Sequence, residues 1–274
     1  MLRGRVRKGE RRGHDCRAAG AFLLNPLRMG GVGKSLLHEA RTASMPANDS
    51  IRSPLDRAVP SDTTTAVVAL GCLWGADPVF GGRDGVVRTC VGFAGGTTPD
   101  PTHSAIGDHV EAVRVVFAPD QLSYRELLNH FWAHHDPAQT PAKRRYAHAL
   151  FPQTAAQSDL ARATRAAEEE RHDDTQRVDI IEKASFSPAA LHHQNYKLRR
   201  HGALVSAFRA RLSSDEAFAR SPAATRANAY VAGHRAPNRL DQDRDRLDLP
   251  PDAVETLRSL ARRHHGWRAY VHSE

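Results

Sequence analysis

Residues 66–76 read Ala-Val-Val-Ala-Leu-Gly-Cys-Leu-Trp-Gly-Ala. The apolar run 67–70 predicts a short strand, and the residues after Gly71 can open a helix. Cys72 therefore lies at a strand-to-helix turn, where unsatisfied backbone N–H groups and the positive end of the helix dipole both favour a thiolate. The pattern predicts a reactive thiol at Cys72, although a lone cysteine in an apolar stretch also fits a buried core position.

The rest of the chain mixes strand-like and helix-like patterns. Further strands are predicted at 86–93, 111–117 and 178–182, and helices at 122–134, 158–172, 188–212 (one or two helices), 223–232 and 252–264. A charged spacer is expected at 239–248. This mixture predicts an α+β fold.

Charge is concentrated at the N-terminus of the 274-residue chain. The chain has 39 Lys and Arg and 31 Asp and Glu, a formal net charge of +8. Residues 1–44 contain ten of the basic and three of the acidic residues, so they carry +7 of that charge. Residues 1–65 are rich in Arg, Gly, Ser and Pro and are expected to form a disordered basic tail. Met45 offers an alternative start of translation. Because the excess charge belongs to the tail, nucleic-acid binding is not favoured.

The cysteines, histidines and apolar runs exclude several classes of protein. Three cysteines, Cys16, Cys72 and Cys90, are too few for a disulfide framework or a four-cysteine zinc site. Histidines recur as adjacent pairs, which point about 100° apart on a helix and chelate one ion poorly, so neither a metal nor another cofactor is expected. The run 66–76 is far shorter than the roughly 20 residues that span a bilayer. We expect a monomeric, cytoplasmic protein without a membrane segment.

Ten short segments, spread over more than a hundred residues, form one ordered pattern. They are Gly-Cys-Leu-Trp-Gly-Ala at 71–76, Gly-Val-Val-Arg-Thr at 85–89, Val-Gly-Phe-Ala-Gly-Gly at 91–96, Asp-Pro-Thr at 100–102, Gly-Asp-His-Val-Glu-Ala-Val at 107–113, Ser-Tyr-Arg-Glu-Leu-Leu at 123–128, Phe-Trp at 131–132, His-Asp-Pro at 135–137, Tyr146 and His-Gln at 193–194. In order and spacing they resemble the A-type peptide methionine sulfoxide reductases. The resemblance covers about residues 66–200, the expected catalytic domain. Ala-Asn-Ala-Tyr-Val-Ala-Gly at 227–233 is similar to a C-terminal segment of a subgroup of that family.

This resemblance implies both a fold and an activity. The fold is a two-layer sandwich with a mixed central sheet flanked by helices, and residues 201–274 form a C-terminal helical extension. The activity is reduction of the S epimer of methionine sulfoxide, free or in proteins.

The resemblance also assigns polar roles in the reaction. Cys72 is expected to attack the sulfoxide sulfur, and Glu111 to protonate the leaving oxygen, for which it must be neutral. Burial beside apolar neighbours can keep it so. Tyr146 is expected to hydrogen-bond the oxygen. His103 stands where the family has a second tyrosine; its imidazole can donate a hydrogen bond, although a surface histidine in a loop is an equal alternative.

An apolar seat for the S-methyl group is expected from Leu73, Trp74 and Phe93. Leu73 replaces the family's usual phenylalanine, and Phe93 replaces a tyrosine of many members; ordinary core packing is the alternative for both aromatic rings. The stretch 140–145 is basic and lacks the family's acidic residue, and Ala190 replaces a common glutamate. These departures affect the polar lining of the site.

Turnover requires a second thiol, because the reaction leaves Cys72 as a sulfenic acid. Many family members use C-terminal cysteines for this purpose, but here no cysteine follows Cys90. Cys90 is the internal alternative, disfavoured because its predicted strand is buried. We therefore expect thioredoxin, glutaredoxin or a small thiol to reduce Cys72 directly.

Two other functions are also compatible with the sequence. A cysteine hydrolase would use Cys72 with a histidine. A basic nucleic-acid-binding module that has lost its enzymatic activity would use the tail and Arg-rich patches, although the presence of both Cys72 and Glu111 argues against such a loss.

Overall fold

A six-stranded sheet lies at the centre of the computed structural model, which describes residues 52–134, 141, 143–171 and 178–271, with side chains up to His265. The strands are β1 (Thr64–Leu70), β2 (Val86–Ala94), β3 (Val110–Phe117), β4 (His148–Leu150), β5 (Asp179–Ile180) and β6 (Phe186–Pro188). Their order is β5-β4-β1-β3-β2-β6. Among these described strands the pairs are antiparallel except β4 with β5. The mixed sheet confirms the predicted α+β class.

Ten helices and three short 3-10 helices accompany the sheet in the described residues. The helices are α1 (Pro54–Arg57), α2 (Leu73–Gly81), α3 (Tyr124–Trp132), α4 (Ala155–Glu169), α5 (Tyr196–Arg199), α6 (Gly202–Arg209), α7 (Asp215–Arg220), α8 (Pro222–Val231), α9 (Leu240–Leu247) and α10 (Pro251–Val271). The 3-10 helices are Arg144–Tyr146, Leu191–His193 and Pro237–Arg239.

Both faces of the sheet are apolar. Successive side chains of a strand point to opposite faces, and apolar residues occupy both sets of positions. One face, which includes Val68 and Val113, shares a core with α2 and α3. The other face, which includes Val67 and Ala112, packs under Phe151 and its neighbours. Since β1 and α2 are joined only by Gly71 and Cys72, this packing fixes where the cysteine lies.

The C-terminal region forms the helical extension that the sequence predicted. α8 is buried at every position and packs along α2. The approach is close enough that a Cβ on Gly81 would lie 2.9 Å from Thr225 Cγ2, and one on Gly82 would lie 2.5 Å from the His234 carbonyl oxygen. The described residues from 52 onward belong to one compact unit. The extension therefore braces the helix that begins at Cys72.

Ordered structure begins earlier than the sequence predicted. Ser53 caps α1 by accepting a hydrogen bond from the Asp56 N–H at 3.1 Å, and β1 already begins at Thr64. Asp56 Oδ1 accepts hydrogen bonds from Ser221 Oγ at 2.7 Å and from the Ala223 N–H at 3.1 Å, where the N-terminus of α8 favours a negative charge. The expectation of disorder is thus wrong for residues 52–65; the remainder of the predicted tail lies outside the described residues.

The predicted helical segment 188–212 is interrupted in the structure. The Gln194 side chain accepts a hydrogen bond from the Val91 N–H at 2.8 Å and donates to the Val91 carbonyl at 2.9 Å. Asn195 follows in the left-handed region at φ 53°, where a right-handed helix cannot continue. This anchoring to β2 separates the 3-10 turn from α5 and α6.

The predicted charged spacer 239–248 is also wrong, since most of it forms α9. Leu240, Asp243 and Leu247 are buried at helical spacing. Asp243 is acceptable there because Arg235 Nε lies 2.5 Å and Tyr230 Oη 2.7 Å from its Oδ2. A buried ion pair replaces the apolar residue that would have revealed the helix in the sequence.

The described helices include none whose length and apolar character would let it cross a membrane.

Candidate active site

Cys72 is the N-cap residue of α2, as the sequence predicted. Its backbone is extended, and its carbonyl accepts hydrogen bonds from the Gly75 and Ala76 N–H groups at 2.9 and 3.0 Å, which begins the helix. The residue is exposed, whereas Leu73 beside it is fully buried. The first turn of α2 thus presents the thiol at the surface on a rigid base.

The resting thiol is less acidic than the sequence predicted. Loss of solvent around the sulfur raises the pKa of Cys72, and the charge of Glu111 acts in the same direction. The backbone N–H groups of Trp74 and Gly75 and the Lys197 ammonium lower the pKa without reversing the shift. The helix end favours the thiolate, as the sequence indicated, but desolvation and the neighbouring carboxylate act against it, and the net direction of the pKa of Cys72 is upward.

Glu111 lies beneath this turn, on the side of the sheet that faces α2. Its flanking residues in β3, Val110 and Ala112, pack on the opposite face. The side chain is only 1% exposed. Its Oε2 accepts a hydrogen bond from the Leu73 N–H at 2.9 Å. The carboxylate is thereby attached to the residue adjacent to the reactive thiol.

Arg145 binds the second carboxylate oxygen and is a site residue that sequence reasoning missed. Its Nε donates to Glu111 Oε1 at 2.8 Å, and its Nη2 lies 2.6 Å from the same atom. Nη2 also donates to the His103 backbone carbonyl at 3.1 Å. The basic character of 140–145 was visible in the sequence, but its pairing with Glu111 was not. Both oxygens of the buried carboxylate accept hydrogen bonds.

The loop between β2 and β3 places His103 at the site. Asp108 fastens the two ends of this loop by accepting hydrogen bonds from the backbone N–H groups of Thr97 at 2.8 Å and Thr98 at 2.9 Å. His103 Nε2 then lies 3.9 Å from Glu111 Oε1, and the side chain is 34% exposed. Of the two alternatives for His103, the structure supports a place at the site.

Trp74 belongs to a group of stacked rings beside the thiol. Its ring lies 4.0 Å from that of Tyr196 at an angle of 11°, and 5.2 Å from that of His103 at 16°. Trp74 Nε1 donates to His193 Nδ1 at 3.2 Å. Burial, aided by His192 and His103, lowers the pKa of His193 to about 4, so a neutral imidazole accepts this bond near pH 7. Tyr196 was not predicted, and His193 appeared only in the resemblance.

The other predicted residues occupy two kinds of position. Leu73 and Phe93 are almost completely buried in the core under the first turn of α2, and Phe93 is the cross-strand partner of Glu111. Tyr146 is half-buried, and its ring lies 5.4 Å from the Arg145 guanidinium carbon. The roles predicted for these three side chains toward a substrate stay predictions. In the described part of the chain, no group of three His, Cys, Asp or Glu side chains is arranged to hold a metal ion.

An exposed thiol at a helix N-terminus, joined through one backbone N–H to a buried carboxylate, defines the site of a thiol-dependent enzyme. Residues 64–224 match the family model described as peptide methionine sulfoxide reductase. The chain belongs to the peptide methionine sulfoxide reductase family. This membership replaces the alternative of a cysteine hydrolase.

Individual relatives agree with the family match. A peptide methionine sulfoxide reductase of Drosophila melanogaster is 34% identical over 189 residues, which are 68% of this chain and 76% of that protein. Peptide methionine sulfoxide reductase A5 of rice, Oryza sativa subsp. japonica, is 33% identical over 194 residues, 68% and 75% of the two chains. Methionine sulfoxide reductase A of Corynebacterium diphtheriae has a solved structure with a TM-score of 0.46 and 29% identity, over 53% of this chain and 78% of that one.

Proposed function

We propose that this protein reduces the S epimer of methionine sulfoxide, free or in proteins, to methionine, with Cys72 as the nucleophile. The observation that carries the proposal is the link between thiol and acid: Glu111 is buried and accepts a hydrogen bond from the Leu73 N–H at 2.9 Å, next to the exposed Cys72. The reaction needs a sulfur nucleophile and a proton for the leaving oxygen. These two residues supply them at adjacent positions.

One proton passes from the thiol to the sulfoxide oxygen during the reaction. The raised pKa of Cys72 favours its protonated form at rest. The sequence predicted a neutral Glu111, but its contacts with the Leu73 N–H and the Arg145 guanidinium are those of a carboxylate, so in this proposal Glu111 receives its proton from Cys72. Transfer of the thiol proton to Glu111 gives the thiolate, which attacks the sulfoxide sulfur while Glu111 returns the proton to the oxygen. The attack forms a bond between the Cys72 sulfur and the substrate sulfur. The protonated oxygen is then transferred to the Cys72 sulfur while the S–O and S–S bonds of the substrate sulfur break, so the products are methionine and Cys72 sulfenic acid. Glu111 thus accepts and then donates the same proton.

Trp74 is the side chain best placed to receive the S-methyl group. It follows Cys72 by two positions and is partly exposed, whereas Leu73 and Phe93 are buried beneath it and support the apolar surface. Stacking on Tyr196 holds the indole ring in one orientation. We propose that Tyr146 and His103 hydrogen-bond the sulfoxide oxygen.

Regeneration of Cys72 is proposed to use a thiol from outside the chain. Thr89 donates a hydrogen bond to Asp77 of α2, so by alternation its neighbour Cys90 points to the other face of the sheet. There its cross-strand partner is Arg114, whose guanidinium lies over the Phe186 ring. The sheet therefore separates Cys90 from the sulfur of Cys72. An external thiol forms a mixed disulfide with Cys72 and releases water, and a second thiol frees the enzyme.

The reductant is proposed to be thioredoxin, glutaredoxin or a small thiol, each of which can attack an exposed sulfenic acid. A monomeric state and a cytoplasmic location stay predictions from the sequence.

The test is a single turnover without reductant. Wild-type protein is mixed with methionine-S-sulfoxide, and the methionine released is measured together with the mass of the peptide containing Cys72. We expect up to one methionine per chain and a gain of one oxygen on Cys72. The matched controls are the R epimer and the variant C72S, both of which should give no product. Equal reduction by C72S and wild type would refute the proposal.

A further inference from the structure

Arg145 occupies an unusual position for a residue next to a group that must carry a proton. A guanidinium stabilises a carboxylate and opposes its protonation. Here the guanidinium places Nε and Nη2 on one oxygen of Glu111, at 2.8 and 2.6 Å. It is held in place by the His103 carbonyl, to which Nη2 donates at 3.1 Å. The contact is therefore a fixed part of the site.

The surroundings of Glu111 show what this cation does. Glu111 is 1% exposed, and its neighbours Leu73 and Phe93 belong to the apolar core, where an uncompensated charge is costly. The charged or titratable groups that face it are Cys72, whose charge opposes that of Glu111, and His103, with Nε2 at 3.9 Å. Arg145 is the permanent cation in contact with it among the described residues. Arg145 therefore offsets the negative charge of Glu111 and fixes the position of Oε1.

We propose that Arg145 is a positioning residue: its guanidinium holds Oε1 of Glu111 and offsets the negative charge of the carboxylate beside Cys72, so that Glu111 can take the proton from Cys72 before it donates that proton to the sulfoxide oxygen. This inference rests on the proposed function and adds a residue to it. Arg145 acts through Glu111 and does not itself touch the reacting atoms.

The acid limb of the pH–rate profile tests the proposal. Single-turnover rates of methionine formation are measured from pH 5 to 9 for wild type, R145Q and R145K. In R145Q the positive charge that offsets the Glu111 carboxylate is lost, and the acid limb should move up by about 1 to 3 pH units. R145K keeps the charge and should keep the wild-type limb, with a lower plateau rate because lysine has no counterpart of the second donor, Nε, that binds Glu111.

A matched control comes from another arginine–carboxylate pair. Arg258 Nη2 donates to Asp241 at 2.7 Å in the helical extension, so R258Q removes a comparable contact away from the thiol. Its profile should equal that of the wild type. If R145Q is not folded by circular dichroism, R145S with added methylguanidinium takes its place: the added cation should move the acid limb back to lower pH.

The outcomes separate this inference from the proposed function. An acid limb in R145Q that stays at the wild-type pH, or moves down, overturns the inference and leaves Arg145 as a structural residue. Wild-type rates in E111Q overturn the role of Glu111 in the proposed function, whatever Arg145 does. A slow E111Q together with the upward shift in R145Q supports both.

Discussion

The variant D77N should change how the stability of the protein depends on pH. Asp77 lies in α2, is 2% exposed, and accepts hydrogen bonds from the Thr89 hydroxyl and from Asn228 Nδ2 at 3.0 Å. Burial raises the pKa of Asp77 from 3.8 to about 6. Because the folded state binds the proton more tightly than the unfolded state, the contribution of this group is greatest at low pH and is lost as pH rises through about 6. The amide side chain introduced by D77N would not titrate.

The size of the effect follows from the shift in the pKa of Asp77. One pKa unit corresponds to about 1.4 kcal/mol, so ionisation of Asp77 should cost the wild type about 2 to 3 kcal/mol of unfolding free energy between pH 4 and pH 7. At fixed pH, D77N also changes the hydrogen bonding, because one of the two carboxyl oxygens that accept from Thr89 and Asn228 becomes an NH2 donor. That difference is the same at both pH values, so the change with pH isolates the titration.

Urea unfolding followed by circular dichroism at pH 4, 5, 6 and 7 provides the measurement. The stability of D77N relative to wild type should rise by about 2 to 3 kcal/mol from pH 4 to pH 7. The exchange variant D77N/N228D restores the donor–acceptor match and serves as a control for the hydrogen bonds. A difference between D77N and wild type that is constant within about 0.5 kcal/mol over this range would refute the reasoning.

Three further predictions concern the packing of the helical extension on α2, the cysteines other than Cys72, and the stacked rings of Trp74 and Tyr196. G82A should destabilise the protein by about 1 to 3 kcal/mol in urea unfolding, because its Cβ meets the His234 carbonyl, whereas G75A, with open space at its Cβ, should be neutral or stabilise by up to about 1 kcal/mol; equal effects would contradict the close packing. C90S and C16S should each sustain multiple turnovers with reduced thioredoxin as the only reductant at the wild-type rate, and a block after the first turnover in either variant would identify an internal resolving thiol. Y196L should lower kcat/KM by up to about tenfold, since a stacked pair contributes about 0.5–1.5 kcal/mol, while Y196F should not; identical values for both variants would contradict the stacking role.

Local patterns in the sequence predicted the part of the site that lies within one turn of chain. Cys72 and Trp74 lie at a strand-to-helix transition that apolar periodicity shows directly. The pairing of Arg145 with Glu111 joins residues 34 positions apart, so it depends on where the 3-10 helix meets β3. A lowered thiol pKa was expected from the helix end alone, and the opposing desolvation depends on burial that only the fold determines.

The errors in secondary structure have the same origin. Asp243 is buried in α9 because Arg235 forms an ion pair with it and Tyr230 donates a hydrogen bond to it. Composition alone indicates a solvated spacer, because these partners lie elsewhere in the chain. The break at Asn195 depends on its left-handed backbone and on Gln194 binding β2. Tertiary contacts therefore overrode local preference in both directions, making a helix of the charged segment and interrupting the apolar one.

The helical extension can be tested as part of the catalytic unit by shortening the chain to residues 52–212. This removes α8, and with it Asn228 from the buried Asp77. A buried polar group left without its partner costs about 1–3 kcal/mol, and the surface of α2 that α8 covers becomes exposed to water. Against a typical total stability of about 5–15 kcal/mol, these losses should prevent cooperative unfolding and abolish single-turnover activity. The measurement is thermal circular dichroism of the shortened and full chains. A sharp transition with wild-type activity in the shortened chain would show that the extension is only an accessory layer, because the position of Cys72 would then be fixed by the sheet alone.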